Sequence, residues 1–262
     1  MERQEPGILE KFVSRHPLGG AIYFLILFLV VGTLAGVIGI FLTKSPLTLV
    51  AISEGGAGIA GILLIIRLGW LRRAGYGTPG RLRDIPLYIL PLGIALLSFT
   101  EGIPEVTPDT ALFFLLVALI IGFSEETFFR GLILQSLVPL GVLRTVLISS
   151  ALFAFPHLFN ALSGAWDPAF TLADTFAAFG IGVAFAAILF RTGTIWPVIG
   201  LHALTDLTAL LSIGTIFVAG QSALELVTVA GTGLVAMVYG LFLIRPGKEI
   251  RLFHPNTMRI DR

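Results

Sequence analysis

Eight stretches of this chain are apolar over lengths that match the hydrocarbon core of a bilayer, and that repetition limits the fold more than any other feature. They lie at about 18–42, 46–71, 84–100, 111–138, 142–162, 170–190, 194–217 and 222–244. With 56% hydrophobic and 13% charged residues in a chain of 262, neither disorder nor an ordinary water-soluble globule fits. The runs are continuously apolar instead of alternating in segments of about ten residues, which predicts helices and not a barrel. The expected fold is all-α: a single integral membrane domain over residues 1–262, a polytopic bundle of about eight transmembrane helices. The third run is short and contains Pro86 and Pro91, so it is expected to tilt, kink or fall short of a full crossing. The first run is too long for a signal-peptide core and lacks a small-residue cleavage site, which reads as a retained span.

Charge placement sets the expected topology. With eight crossings, one side receives Arg3, Lys11, Arg15, Arg72, Arg73, Arg81, Arg83, Arg144, Arg191, Arg245, Lys248, Arg251, Arg259 and Arg262. The other receives Lys44 and the acidic loop of Glu101, Glu105 and Asp109. Basic loops remain in the cytoplasm, so both termini are expected there. The net charge is only +1, which gives no basic field for nucleic acid. The chain has no cysteine, excluding disulfides, thiolate catalysis, cysteine-held zinc and lipidation of the chain itself. Small residues recur at Gly32 and Gly36 and at Gly180, Gly182, Gly231 and Gly233, a spacing that suits close helix packing. Gly56, Gly58 and Gly61 match the dinucleotide fingerprint in letters only, since they lie inside a spanning run with no preceding strand.

Ionisable side chains inside apolar runs cost about 2.5–3.5 kcal/mol each at mid-membrane on insertion scales, so they point to use. The fourth run contains Ser124-Glu125-Glu126-Thr127-Phe128-Phe129-Arg130, the fifth Phe153-Ala-Phe155-Pro156-His157, and the seventh His202-Ala-Leu-Thr205-Asp206. Counted from the basic-side ends at a rise of about 1.5 Å per residue, Glu125 and His157 lie roughly 20 Å deep, Asp206 roughly 18 Å and His202 roughly 12 Å. That common layer predicts one constellation, reached from the cytoplasm or laterally from the inner leaflet. His202 and Asp206 are four apart and share a helix face. Glu126 and Arg130 have the spacing of an intrahelical ion pair, leaving Glu125 as the freer carboxylate. Pro156 removes a helical hydrogen bond just before His157 and re-aims it. Glu54, near the outer end of the second run, is read as structural or interfacial, and His16 and His254 as surface residues.

A carboxylate and an imidazole converging on one point can deprotonate a water, while further polar groups stabilise the oxyanion formed when it attacks a carbonyl. The same donors, Glu125, His157, His202 and Asp206, could instead hold a divalent metal such as zinc with a water in its open position. No His-Glu-x-x-His helix and no Gly-x-Gly-Asp occurs, and Glu125 follows Ser124 where a serine-nucleophile turn needs glycine.

Over about residues 110–210 the chain resembles the CPBP family of intramembrane proteases, the type II CAAX prenyl endopeptidases and their bacterial relatives. The likeness rests on Glu125-Glu126-x-x-x-Arg130, Phe153-x-x-x-His157 and His202-x-x-x-Asp206, in that order. It implies an eight-helix fold with a cytoplasm-facing cavity, in the plasma membrane of a prokaryote. It further implies a peptide or membrane-protein substrate, prenylated in the CAAX case. By that likeness Glu125 and His157 activate the attacking water, His202 and the residue at Asp206 form the oxyanion site, and Glu126 and Arg130 are positional. The family usually has asparagine at Asp206, and an ionised aspartate would repel an oxyanion. Asp206 is then protonated, or orients His202, or faces a cation. The competing reading is a non-catalytic membrane protein, with an immunity, scaffold or proton-relay role for the same polar cluster.

Overall fold

A computed structural model describes residues 7–163, 167–214 and 222–251. Arg3, His254, Arg259, Arg262 and positions 215–217 of the seventh run lie outside the described residues. Among the described residues the chain is helical without strands, in the order α1 (Ile8–Arg15), α2 (Pro17–Leu42), α3 (Pro46–Arg67), α4 (Leu82–Thr100), α5 (Pro108–Leu140), α6 (Val142–Leu162), α7 (Pro168–Thr192), α8 (Trp196–Ile213) and α9 (Ala223–Leu243). Helices α2 to α9 are each long and apolar enough to cross a bilayer, giving eight spans of an integral membrane protein.

Local chemistry explains the boundaries. Proline opens α2, α3, α5 and α7, where its missing N–H costs nothing. Ser45, Thr107, Asp167 and Ser222 cap the spans they precede by accepting a backbone N–H. Gly193 and Gly214 end α7 and α8 in the left-handed conformation. Two expectations shift in detail. The polar segment before the first span coils into the amphipathic α1, whose buried Val13 packs on Gly20, and the second run leaves helix at Arg67. The proline-bearing third run spans as α4 but winds as a tighter 3₁₀ helix at Leu82–Tyr88 and again from Leu97.

Alternating spans divide the loops into two faces. On one, the Arg73 guanidinium donates to the Gln135 carbonyl, Ile195 N–H to Gly75 O (3.3 Å), Arg251 N–H to Phe190 O (2.8 Å), and Arg251 holds Asp84 at 2.9 Å. This basic face gathers Arg67, Arg72, Arg81, Arg83, Arg144, Arg191, Arg245 and Lys248. The opposite, acidic face carries Lys44 against Glu101, Glu105, Asp109, Asp167 and Glu225.

Among the described residues the buried apolar side chains form three clusters, and all three draw on α5. Outward-facing Ile26, Leu34, Ile38 and Phe41 on α2 and Val227, Leu234 and Val238 on α9 are exposed, as lipid-facing residues are. Small residues do pack helices: Gly32 lies against Ser53, Gly182 against Ser150, and Gly180 and Gly233 bring α7 and α9 backbones together. Gly231 has open space around it instead. Gly56, Gly58 and Gly61 sit within α3, which leaves the nucleotide fingerprint without its strand.

Candidate active site

Helix α5 is the spine of the site, and it is not uniform. It runs as α-helix to Glu126, widens to a π-helix over Thr127–Ile133, and returns to α-helix at Leu134. Every residue of the π segment is buried, and such segments concentrate where a helix must aim side chains. Tyr76, from the basic-face loop, braces its start. The Thr127 hydroxyl donates to Phe123 O, so the phenol donates to Thr127 Oγ1. Burial pushes the Tyr76 phenol up to about 12, which keeps that donor protonated.

Within this frame Arg130 turns inward. Its Nε lies 3.1 Å from Glu126 Oε2, and the guanidinium stacks over the rings of Phe153 at 4.2 Å and Phe185 at 5.7 Å. Glu126 and Arg130 have side chains 0% and 2% exposed, a buried ion pair wrapped in aromatic rings. The second oxygen of Glu126 lies 2.8 Å from His202 Nδ1. A carboxylate paired with arginine can only accept, so Nδ1 carries a proton and Nε2 is turned to the remaining residues. Helices α5 and α8 approach closely enough for this because residue 122 is glycine. A Cβ there would come within 2.9 Å of Ala203 N and 3.0 Å of Ile199 O.

Nε2 of His202 faces Glu125 Oε2 at 3.7 Å and Asp206 Oδ2 at 3.8 Å. On α6 the helix tightens to 3₁₀ from Phe155, at Pro156, and presents His157, whose Nδ1 lies 2.8 Å from Asp174 Oδ2 on α7. Nδ1 of His157 is thus held by Asp174, and Nε2 is the ring nitrogen left for the cavity. Glu125, His157, His202 and Asp206 all line one cavity of about 460 Å³, joined by Glu54 and Asp174. Glu126 and Arg130 lie beneath it rather than on its wall.

Two wall carboxylates were not assigned to the site from sequence. Asp174 sits in the apolar run Leu172-Ala-Asp174-Thr-Phe-Ala-Ala, and an acid there is the same kind of signal that marked Glu125. Glu54, expected to be structural or interfacial, is a wall residue of the cavity. The reason is geometric: near Glu54, α3 packs on α5 with Gly58 against Ser124, which turns Glu54 toward Glu125 and not toward lipid. His16 is exposed, as expected, and stacks on Phe12.

The donor set does not fit a metal as arranged. The Nδ1 atoms of His202 and His157 are held by Glu126 and Asp174, which leaves their Nε2 atoms as the ring nitrogens a metal would use, but no group of three His, Asp or Glu side chains among the described residues is spaced to hold an ion.

The depth of the site differs from expectation. Ser98 and Asn160 on its wall each lie two residues from the acidic-face ends of their helices, Thr100 and Leu162, and Val50 and Ala209 lie four from Pro46 and Ile213. Side-chain exposure runs from 29% and 24% at His157 and Asp174, through 21% and 19% at Glu125 and Asp206, to 11% at His202 and nil at Glu126. The cavity therefore bottoms out on the Glu126–Arg130 pair and widens toward the acidic face. Cytoplasmic termini and a cytoplasm-facing cavity cannot both hold. A depth of roughly 20 Å from one side of a core about 30 Å thick is already past its middle.

Comparison with known proteins bears out the resemblance. Residues 107–208 match the family model described as type II CAAX prenyl endopeptidase Rce1-like, and this region runs from the cap of α5 to Thr208 of α8, containing all three motifs. No curated protein matches the chain.

Proposed function

The chain carries an Rce1-like domain of the type II CAAX prenyl endopeptidase family inside a membrane bundle, and from this premise we propose a glutamate-type intramembrane endopeptidase. A peptide substrate in the membrane is what such a family acts on. The observation that supports the chemistry best is the joint placement of Glu125, His202 Nε2, Asp206 and the His157–Asp174 pair on one cavity wall.

In this reading a water held between Glu125 and His157 Nε2 loses a proton to the Glu125 carboxylate and attacks the peptide carbonyl. The oxyanion of the tetrahedral intermediate is met by His202 Nε2–H, a donor when the ring is doubly protonated, with Nδ1–H held by the Glu126 carboxylate. Collapse breaks the C–N bond, and the proton taken up by Glu125 passes to the departing amine. Asp174 fixes the His157 tautomer as a carboxylate fixes the imidazole of a hydrolase triad. Asp206 helps the oxyanion only in its protonated form. Asp206→Asn, which donates an N–H at every pH, is then expected to retain cleavage, whereas Asp206→Ala loses it; equal loss in both would assign Asp206 to orienting His202.

Purified protein, offered prenylated CAAX peptides and a library of membrane peptides, should cleave at least one, with Glu125→Ala and His157→Ala abolishing the cut. Survival of every substrate with wild type, alongside proton flux into vesicles, would sink the proposal in favour of a relay. Elemental analysis beside a Glu125→Gln assay separates a metal-held water from one activated by carboxylate alone.

A further inference from the structure

Two observations about the cavity bear on what reaches it. Its wall approaches the acidic face at Ser98, Asn160, Val50 and Ala209, while Glu126 and Arg130 close it toward the basic face. Basic loops are retained in the cytoplasm. The basic face carries almost every lysine and arginine of the described residues, with Lys44 alone opposite. Orientation by charge and position of the cavity together turn the site outward.

The second observation is charge. Glu54, Glu125, Asp174 and Asp206 line the cavity with two histidines, and among the described residues no lysine or arginine does. Arg130 beneath is already paired with Glu126. A substrate cut three residues from its C-terminus would bring an α-carboxylate within about 10 Å of the reacting bond, the reach of three extended residues. Among the described residues no lysine or arginine of this wall would pair with that charge, and the four carboxylates around it would repel it.

We propose that the cavity receives, from the extracytoplasmic side, an internal stretch of a membrane-anchored polypeptide, and not a C-terminal tail offered from the cytoplasm. The substrate part of this inference rests on the peptidase reading; the side of entry does not.

The absence of cysteine makes the side of entry directly measurable. Ser98→Cys and Ala209→Cys probe the wall, and the exposed Arg72→Cys reports the basic face. A membrane-impermeant maleimide added to intact cells should label both wall cysteines and spare Arg72→Cys, with the pattern for Arg72→Cys reversed in inverted vesicles. Wall labelling only in inverted vesicles, or in neither preparation, overturns the proposal. For the substrate, one anchored peptide is made in three forms: the scissile bond followed by ten or more residues, by three residues with a free carboxylate, and by three with an amide. The long and amidated forms should be cut at least tenfold faster than the carboxylate form. Equal rates, or preference for the free carboxylate, reject the internal-segment assignment. If none is cut, the peptidase reading fails while the labelling result stands.

Discussion

The floor and the wall of the cavity are built from the same residue types and behave as different materials. On the floor Glu126, Arg130 and the Nδ1 edge of His202 are sealed among Phe153 and Phe185, with Arg130 Nε and His202 Nδ1 each facing a Glu126 oxygen at 3.1 and 2.8 Å. On the wall Glu125 and Asp206 stand 3.7 and 3.8 Å from His202 Nε2, too far for a hydrogen bond, and remain partly exposed. Adjacent glutamates in one helix thus have opposite duties. The rotation of about 100° between consecutive helical residues is enough to put one into structure and the other into solvent.

This contrast can be broken by mutation. The largest expected effect on turnover is at the wall: Glu125→Gln and His157→Ala should lower peptide hydrolysis by about 10²–10⁴-fold, the contribution of a proton-transferring group. Thermal unfolding in detergent should be unchanged by Glu125→Gln. A matched loss of stability would show that Glu125 belongs to the floor. At the floor the order reverses. Arg130→Met strips the buried Glu126 carboxylate of its arginine and leaves it only His202, and should cost about 3–5 kcal/mol of stability. Combining it with Glu126→Leu should restore much of the fold but not the activity, because His202 loses its Nδ1 acceptor; a double variant that regains both would place the pair outside the chemistry. The smallest effect is expected at Asp174→Asn, roughly a tenfold loss through the orientation of His157, against the 10²–10⁴ of the proton-transferring group itself. Its signature is a displaced pH–rate profile at unaltered stability, and a profile that stays in place would make Asp174 a packing residue.

The spans were legible because a bilayer imposes length and apolarity on each one separately, and no knowledge of neighbours is needed to see them. The Glu126–Arg130 pair and the shared face of His202 and Asp206 were legible for a similar reason: spacing within one helix decides them. What joins helices was not. That Asp174 finds His157 depends on how α6 tightens after Phe155 and lies on α7, and Glu54 enters the cavity because Gly58 lets α3 close on Ser124. Depth misled as well, since α5 is built from 33 residues and a count along it overshoots the bilayer. The π segment left no mark in the periodicity, because every residue within it is buried and there is no polar stripe to fall out of step.

That wide turn over Thr127–Ile133 divides α5 into two lengths whose phases are set independently. The half before it is keyed to α8 through Gly122, and the half after it to α6, where Thr145 donates to Leu137 O. Trimming one residue from the turn would let an ordinary helix run through while keeping every apolar stretch intact. The two halves would then be swung by about a fifth to a third of a revolution relative to each other. Such a shortened chain would insert and pass for the same protein by every measure of hydrophobicity, yet its glutamates and its arginine would no longer look toward the same neighbours.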